Sequence, residues 1–164
     1  MPQIFINYRR ATDAYAAALL DELLSRELGS RRVFRAAKSI PVGSDYVSEI
    51  SKAIGSCDAM LVVVGVGWSE SFSAIGNGRE DWVLREIREA LGARKVIIPI
   101  VLSGASVIRR ESLPEDLAGL EFLQYLRFDY RNSAQDAIYI SRRLRERFPS
   151  RSVWSYWRRI RTTG

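Results

Sequence analysis

Short runs of β-branched and aromatic residues alternate along this chain with longer segments of helical period, and this alternation constrains the fold most. Because strands separated by helices usually run parallel in one sheet, it predicts an α/β fold with helices on both faces of the sheet. The chain has 164 residues, which suits one domain with its own core. The predicted strands are residues 3–8, 32–34, 59–64, 96–101 and 124–128.

Four segments between the strands have the apolar spacing of amphipathic helices. Thr12 or Asp13 is expected to cap the first helix and Ser44 the second, because their side-chain oxygens can accept hydrogen bonds from free N–H groups. Gly29, in a left-handed conformation, and Gly92 are expected to end helices. With right-handed crossovers, the five strands form a flavodoxin-like, doubly wound parallel sheet in the order 2-1-3-4-5, within a domain of residues 1–149. The helical segments are residues 13–28, 45–54, 81–91 and 133–148.

The chain contains no histidine, and this excludes several kinds of site. Zinc sites of the His/Cys kind, Ser-His-Asp hydrolysis and histidine acid–base chemistry all need an imidazole. The single cysteine, Cys57, cannot form an internal disulfide, so we expect a buried thiol and a cytoplasmic protein. We expect no metal and no cofactor, and catalysis must then rest on carboxylates, hydroxyls or lysines.

The net charge of +6 could indicate nucleic-acid binding, but most of the positive charge lies at the end of the chain. Residues 1–150 carry only +2, because four arginines follow in a tail, residues 150–164, that has no acidic residue. No nucleic-acid partner is therefore expected. The tail interleaves its arginines with three aromatics, which suits either an anionic membrane surface or a closing helix packed on the domain. The arginines are Arg151, Arg158, Arg159 and Arg161.

In a doubly wound sheet, ligands bind beyond the carboxyl ends of the strands, where the strand order reverses. The first strand is followed by Tyr8, Arg9 and Arg10, so it lacks the acidic pair of a phosphoacceptor domain and the glycine-rich turn of a dinucleotide-binding fold. Residues 65–67 also lack the aspartate that a phosphoacceptor needs after strand three. The sequence therefore excludes both functions, which this fold class commonly hosts.

The segment of residues 81–87 places an aromatic residue and a carboxylate on one face of a predicted helix. Trp82 and Glu86 are four residues apart, and the same face carries the apolar residues that dock the helix. We therefore expect Glu86 to be held beside an aromatic wall. The alternative is a solvated glutamate paired with a neighbouring arginine.

Several segments together resemble the TIR domain, and within that family the bacterial and animal members that cleave NAD⁺. The similarity covers roughly residues 1–148 in the family's order. Residues 5–10 resemble the first strand and loop, with Asn7 where the family commonly has serine. Residues 33–34 and 39–43 resemble the second strand and the BB loop, whereas residues 35–38 lack the acidic residue that many members carry after this strand. Residues 81–87, 96–100 and 113–117 resemble the catalytic helix, the next strand and the segment after it.

This resemblance implies that NAD⁺ is the substrate, that Glu86 is the catalytic residue, and that the bond between nicotinamide and ribose is cleaved. Nicotinamide is cationic in NAD⁺ and leaves neutral, so the reaction needs no general acid, unlike ordinary glycoside hydrolysis. An ionised Glu86 can stabilise the developing oxocarbenium ion. We expect side chains near the strand ends to bind the substrate, with packing or solvation as the alternative for each. They are Tyr8, Arg9, Arg10, Lys38, Tyr46, Trp68 and Trp82.

The resemblance also implies self-association. In enzymatic TIR domains the pocket is commonly completed by the BB loop of a neighbouring copy, so other TIR domains are expected partners. The alternative function is a non-enzymatic adaptor that recruits TIR domains through the same loop, although an adaptor has no chemical need for the carboxylate of Glu86. The self-association loop consists of Ile40, Pro41, Val42 and Gly43.

Overall fold

The computed structural model describes residues 1–72 and 80–149. Its centre is one sheet of five parallel strands in the order β2-β1-β3-β4-β5, which confirms the predicted topology. The tail, residues 150–164, lies outside the described residues together with the expectations placed on it. Within the described ranges, no helix combines the length and the apolar character that crossing a membrane requires. The strands are β1 Ile4–Asn7, β2 Val33–Phe34, β3 Ala59–Val64, β4 Val96–Leu102 and β5 Leu126–Phe128.

Alternate residues of each strand enter two separate cores, one on each face of the sheet. On β1, Phe5 belongs to one core, whereas its neighbours Ile4 and Ile6 belong to the other. Successive side chains of a strand point to opposite faces, so this division follows from the backbone. Every residue of β3 is buried, as expected for a central strand that is covered on both faces.

Within the part of the chain that the structure describes, five helices pack around the sheet. Helices α1 and α5 supply the core that contains Ile4 and Ile6, and helices α3 and α4 supply the core that contains Phe5. Short 3-10 turns occupy several of the connections. The helices are α1 Arg10–Leu28, α2 Ala36–Ser39, α3 Tyr46–Ser56, α4 Trp82–Gly92 and α5 Ser133–Arg147.

The structure corrects two of the predicted helix starts. Helix α1 begins at Arg10 with no side-chain cap, so the predicted caps Thr12 and Asp13 lie within the helix. Asp13 faces inward and is buried. Helix α3 is capped by Asp45, whose carboxylate accepts a hydrogen bond from the backbone N–H of Ser48 at 2.6 Å, and not by Ser44.

The structure also differs from the predictions at the ends of α1 and α4 and in the segment after β2. Gly29 follows α1 with a positive φ of 99°, but its ψ of 135° lies outside the left-handed helical region. Gly92 is the last residue of α4, not the residue after it. The four-residue helix α2 was not among the predicted elements, because four residues are too few to show a helical period.

Helix α1 can lie close to the end of β3 because the residue after that strand, Gly65, has no Cβ atom. A Cβ atom at Gly65 would lie 2.0 Å from Oδ1 of Asp13. We therefore expect Gly65→Ala to lower the free energy of unfolding by about 1–3 kcal/mol, because the buried carboxylate must move. Gly55→Ala is the matched control, since a Cβ there meets no atom within 4 Å. Chemical denaturation should show Gly55→Ala to be neutral or stabilising by up to about 1 kcal/mol, and equal midpoints for the two variants would contradict this packing.

Candidate functional site

A cavity of about 730 Å³ opens at the carboxyl edge of the sheet. Its walls come from the residues after β1, from α2, and from the first turns of α3 and α4. This position lies beside the junction of β1 and β3, where the strand order reverses and where ligands bind in sheets of this kind. Of the expected site residues outside the self-association loop, the structure brings six to the cavity. They are Tyr8, Arg9, Arg10, Tyr46, Trp82 and Glu86.

Glu86 lies at the wall of this cavity and is only 8% exposed. Val83 and Ile87, its neighbours on α4, dock the helix in the core, and Trp82 lies one turn before it. Among the described residues no arginine or lysine forms an ion pair with Glu86. The alternative of a solvated, arginine-paired glutamate is therefore wrong.

Asn7, the last residue of β1, holds the carboxylate of Glu86. Its Nδ2 atom donates one hydrogen bond to Oε2 of Glu86 at 2.7 Å and another to the carbonyl oxygen of Val83 at 3.2 Å. Asn7 faces α4 because it follows Phe5 by two residues on the same strand. Asn7 was not among the site residues expected from the sequence. The available signal was a polar side chain in an otherwise apolar strand.

Burial raises the pKa of Glu86 to about 7. The hydrogen bond from Asn7 opposes this rise, whereas the nearby carboxylates of Glu89 and Asp81 add to it. A carboxylate usually ionises far below neutral pH, but here the protonated and ionised forms are both populated near neutral pH. Perturbed values of this kind are common among residues that act in catalysis.

The two arginines after β1 have different surroundings. Arg9 forms an ion pair with Asp81 at 2.9 Å, and the two side chains are only 11% and 8% exposed. The guanidinium of Arg9 also lies over the ring of Phe72, at 5.4 Å from its centroid. Asp81 in turn accepts a hydrogen bond from the backbone N–H of Val83 at 2.9 Å and so caps α4. Arg9 therefore braces the start of α4, whereas Arg10 is exposed at the cavity.

Two aromatic rings form one wall of the cavity. Tyr46 and Trp82 meet edge to face with their centroids 5.7 Å apart, and the guanidinium of Arg85 lies over the Trp82 ring, 4.7 Å from its centroid. Both rings remain partly exposed. Burial and the nearby carboxylate of Glu86 raise the pKa of the Tyr46 phenol, so it stays protonated at neutral pH. The wall therefore offers a planar ligand an aromatic surface, with the guanidinium of Arg85 held on the Trp82 ring.

Two expected substrate-binding residues lie away from this cavity. Trp68 is only 2% exposed and packs edge to face on Phe72, with the centroids 4.7 Å apart, inside the core. Lys38 is bonded to the buried carboxylate of Asp21 on α1, which also pairs with Arg35 at 2.8 Å. Neither Trp68 nor Lys38 lines the cavity. The structure therefore brings neither side chain into the candidate site.

The self-association loop stands at the rim of the cavity. Ile40 lines the cavity and packs against the core, whereas Pro41, Val42 and Gly43 are exposed. A hydrogen bond of 3.2 Å from the backbone N–H of Ser44 to the carbonyl of Pro41 closes a turn in which Gly43 has a φ of 84°. The loop is therefore anchored at one end and projects from the domain at the other.

Comparisons with known proteins agree with this fold. A family model described as the TIR domain matches residues 4–140. Similar solved structures include the TIR domains of the activated Roq1 resistosome, at 17% identity and a TM-score of 0.59, covering 90% of this chain and 100% of that chain. A TIR-STING receptor from C. gigas matches at 17% identity and a TM-score of 0.58, covering 86% of this chain and 40% of that chain.

The TIR domain of the Toll-related receptor TRR-2 from Hydra magnipapillata matches at 18% identity and a TM-score of 0.55. That alignment covers 90% of this chain and 97% of the Hydra chain. At these identities the similarity supports the fold alone. No curated protein matches the chain.

We expect Glu86→Gln to stabilise the fold at alkaline pH. The pKa of Glu86 rises from 4.5 to about 7 on folding, so the folded state binds more protons within this window and loses stability as the pH rises through it. Glutamine stays neutral and still offers an acceptor to Asn7. Thermal unfolding should therefore give the variant a higher Tm than the wild type at about pH 8 and a similar Tm near pH 4.5. The gain in the free energy of unfolding at about pH 8 is at most about 3 kcal/mol. A Tm difference that does not change with pH would show that Glu86 does not titrate in this range.

Proposed function

Because the chain belongs to the TIR domain family, we propose that it is an NAD⁺ glycohydrolase. Its catalytic residue is Glu86, and the bond that it cleaves joins nicotinamide to ribose. The observation that carries the proposal is a carboxylate buried at the wall of a ligand-sized cavity and held there by a hydrogen bond from Asn7. Burying a carboxylate without a cation costs folding free energy. A surface that only binds other domains has no use for a buried carboxylate. A site that binds a positively charged ribose uses the carboxylate to stabilise that charge.

The reaction needs one carboxylate and no general acid. The bond between ribose C1′ and the nicotinamide nitrogen breaks, and its electron pair neutralises the pyridinium as nicotinamide leaves. The ribose becomes an oxocarbenium ion, which the ionised Glu86 stabilises in the water-poor wall of the cavity. Water then bonds to C1′ and releases a proton, which gives ADP-ribose. A cyclic product, which lacks the added water, forms when a nucleophilic group of the bound ADP-ribosyl cation bonds to C1′ instead and releases a proton.

The other cavity residues supply binding and orientation. The rings of Trp82 and Tyr46 give the cationic nicotinamide an aromatic surface, which favours a cation through the charge distribution of the ring face. Tyr8 lines the same cavity and is half-buried. Arg10 is exposed at the cavity and suits the pyrophosphate, whereas Arg9 is ion-paired with Asp81.

Self-association is part of the proposal. The exposed residues Pro41, Val42 and Gly43 can contact a second copy, and Ile40 would transmit that contact because it also lines the cavity. Assembly would then enclose the substrate and exclude water from the carboxylate. An isolated domain is expected to have low activity. Similar TIR domains occur in a resistosome and in a Toll-related receptor, which is compatible with a role in signalling.

We expect Glu86→Gln to lower nicotinamide release from NAD⁺ by roughly 100- to 1000-fold, because an aligned charge of this kind contributes about 3 to 4 kcal/mol to the transition state. The assay uses concentrated or artificially clustered protein and detects nicotinamide by chromatography. Glu89→Gln is the matched control, since Glu89 lies on the same helix and does not line the cavity. It should retain activity within a few-fold.

Two outcomes of this assay contradict the proposal. Equal release by the wild type and Glu86→Gln would reject the site. Absence of release by the clustered wild type would favour the adaptor function.

The activity should also depend on the ionisation of Glu86. Because the ionised form is the active one and burial raises its pKa to about 7, kcat/KM for NAD⁺ should rise with pH around that midpoint. In the complex, the pyridinium charge favours the carboxylate, so the corresponding rise in kcat should lie at lower pH. Initial rates measured from about pH 5 to pH 9 test both statements. A flat profile for the wild type would show that no group with this pKa acts in the reaction.

A further inference from the structure

We infer that Asn7 is a positioning residue that fixes both the direction and the charge of the Glu86 carboxylate. The effect on catalysis rests on the proposed function, whereas the effect on Glu86 itself does not. Asn7 is fully buried, with 0% exposure, and does not line the cavity, so it can act on the substrate only through the residues that it contacts, Glu86 and Val83.

The amide of Asn7 has one favourable orientation. Its Nδ2 atom has two hydrogens, and each meets an acceptor, one on Glu86 and one on the carbonyl of Val83. Turning the amide over would place Oδ1 against these two acceptors. The backbone of Asn7 is fixed as well, because it pairs with Val62 of the central strand β3. The donor therefore reaches Glu86 from a rigid position.

This contact favours the ionised form of Glu86. An N–H donor stabilises a charged carboxylate more than a neutral acid, so the hydrogen bond opposes the pKa rise that burial causes. Val83 connects the same amide to the first turn of α4, three residues before Glu86. The contact therefore couples the position of the helix to the charge of its carboxylate.

Packing alone does not account for an asparagine at this point of the strand. The Oδ1 atom of Asn7 is buried and has no hydrogen-bond partner among the described residues. An unpartnered buried acceptor costs free energy, which an apolar side chain of similar shape would avoid. The neighbouring strand positions are indeed apolar. The benefit that offsets this cost is the donor that Glu86 receives.

The experiment measures the titration of Glu86 directly, by ¹³C NMR of glutamate side-chain carboxyls, with the Glu86 signal assigned by its absence in Glu86→Gln. Asn7→Leu keeps the approximate shape and removes the donor. We expect its Glu86 midpoint to rise by about one to two pH units, since a hydrogen bond to a charged group contributes on that scale. Asn132→Leu is the control, because Asn132 is exposed and makes no capping contact in α5. It should leave the midpoint unchanged.

Asn7→Ser guards against a folding failure of the leucine variant. Serine is smaller than leucine, and its shorter hydroxyl keeps one donor. We expect a midpoint between those of the wild type and Asn7→Leu. An unchanged Glu86 midpoint in whichever of these variants folds would overturn the inference.

Activity supplies the second readout. The pH profile of NAD⁺ cleavage should move upward with the NMR midpoint, so Asn7→Leu loses roughly 5- to 50-fold of kcat/KM near pH 7, where the wild type is itself about half ionised, and recovers most of it near pH 9. A merely structural role would lower the activity equally at all pH values, and that result would overturn the inference. A moved NMR midpoint in a chain that never cleaves NAD⁺ would reject the proposed function and leave the positioning of Glu86 intact.

Discussion

Two residues, one at the end of β1 and one just after it, hold the candidate site together through polar contacts with α4 and its cap. Asn7 bonds both to the backbone of α4 and to Glu86, and Arg9 pairs with Asp81, the residue that caps the same helix. These contacts join segments more than seventy residues apart in sequence. They fix the direction in which α4 leaves the sheet edge, and they therefore place Glu86 at the cavity wall instead of in solvent.

Burial of Glu86 gives it two properties with a single cause. A low-dielectric surrounding disfavours the isolated charge, which raises the pKa, and it also strengthens the attraction between that charge and a cation. Glu86 is therefore a destabilised carboxylate, which a cation placed beside it would stabilise. The apolar cores on both faces of the sheet supply the stability that this arrangement requires. Self-association would add to the effect by closing the open side of the cavity.

The sequence was sufficient for the parts of this account that depend on periodicity and on the ends of strands. Alternating strands and helices predict the sheet order, and the spacing of Trp82 and Glu86 predicts that both reach one cavity. The remaining details depend on which way individual side chains point. The sequence does not distinguish Arg9 from Arg10. The docking of α4 does, because it brings Asp81 to Arg9. Asn7 is visible only as a polar residue in an apolar strand until its acceptors on α4 are known. Trp68 follows a strand end as expected, but its ring turns into the core.

The most direct test of the central claim is a structure of the assembled protein with an NAD⁺ analogue whose nicotinamide–ribose bond cannot be cleaved. The account predicts that the ribose hydroxyls lie within hydrogen-bond distance of the Glu86 carboxylate, and that the nicotinamide ring lies against Trp82. A nicotinamide ribose bound elsewhere, with Glu86 contacting only Asn7, would contradict it.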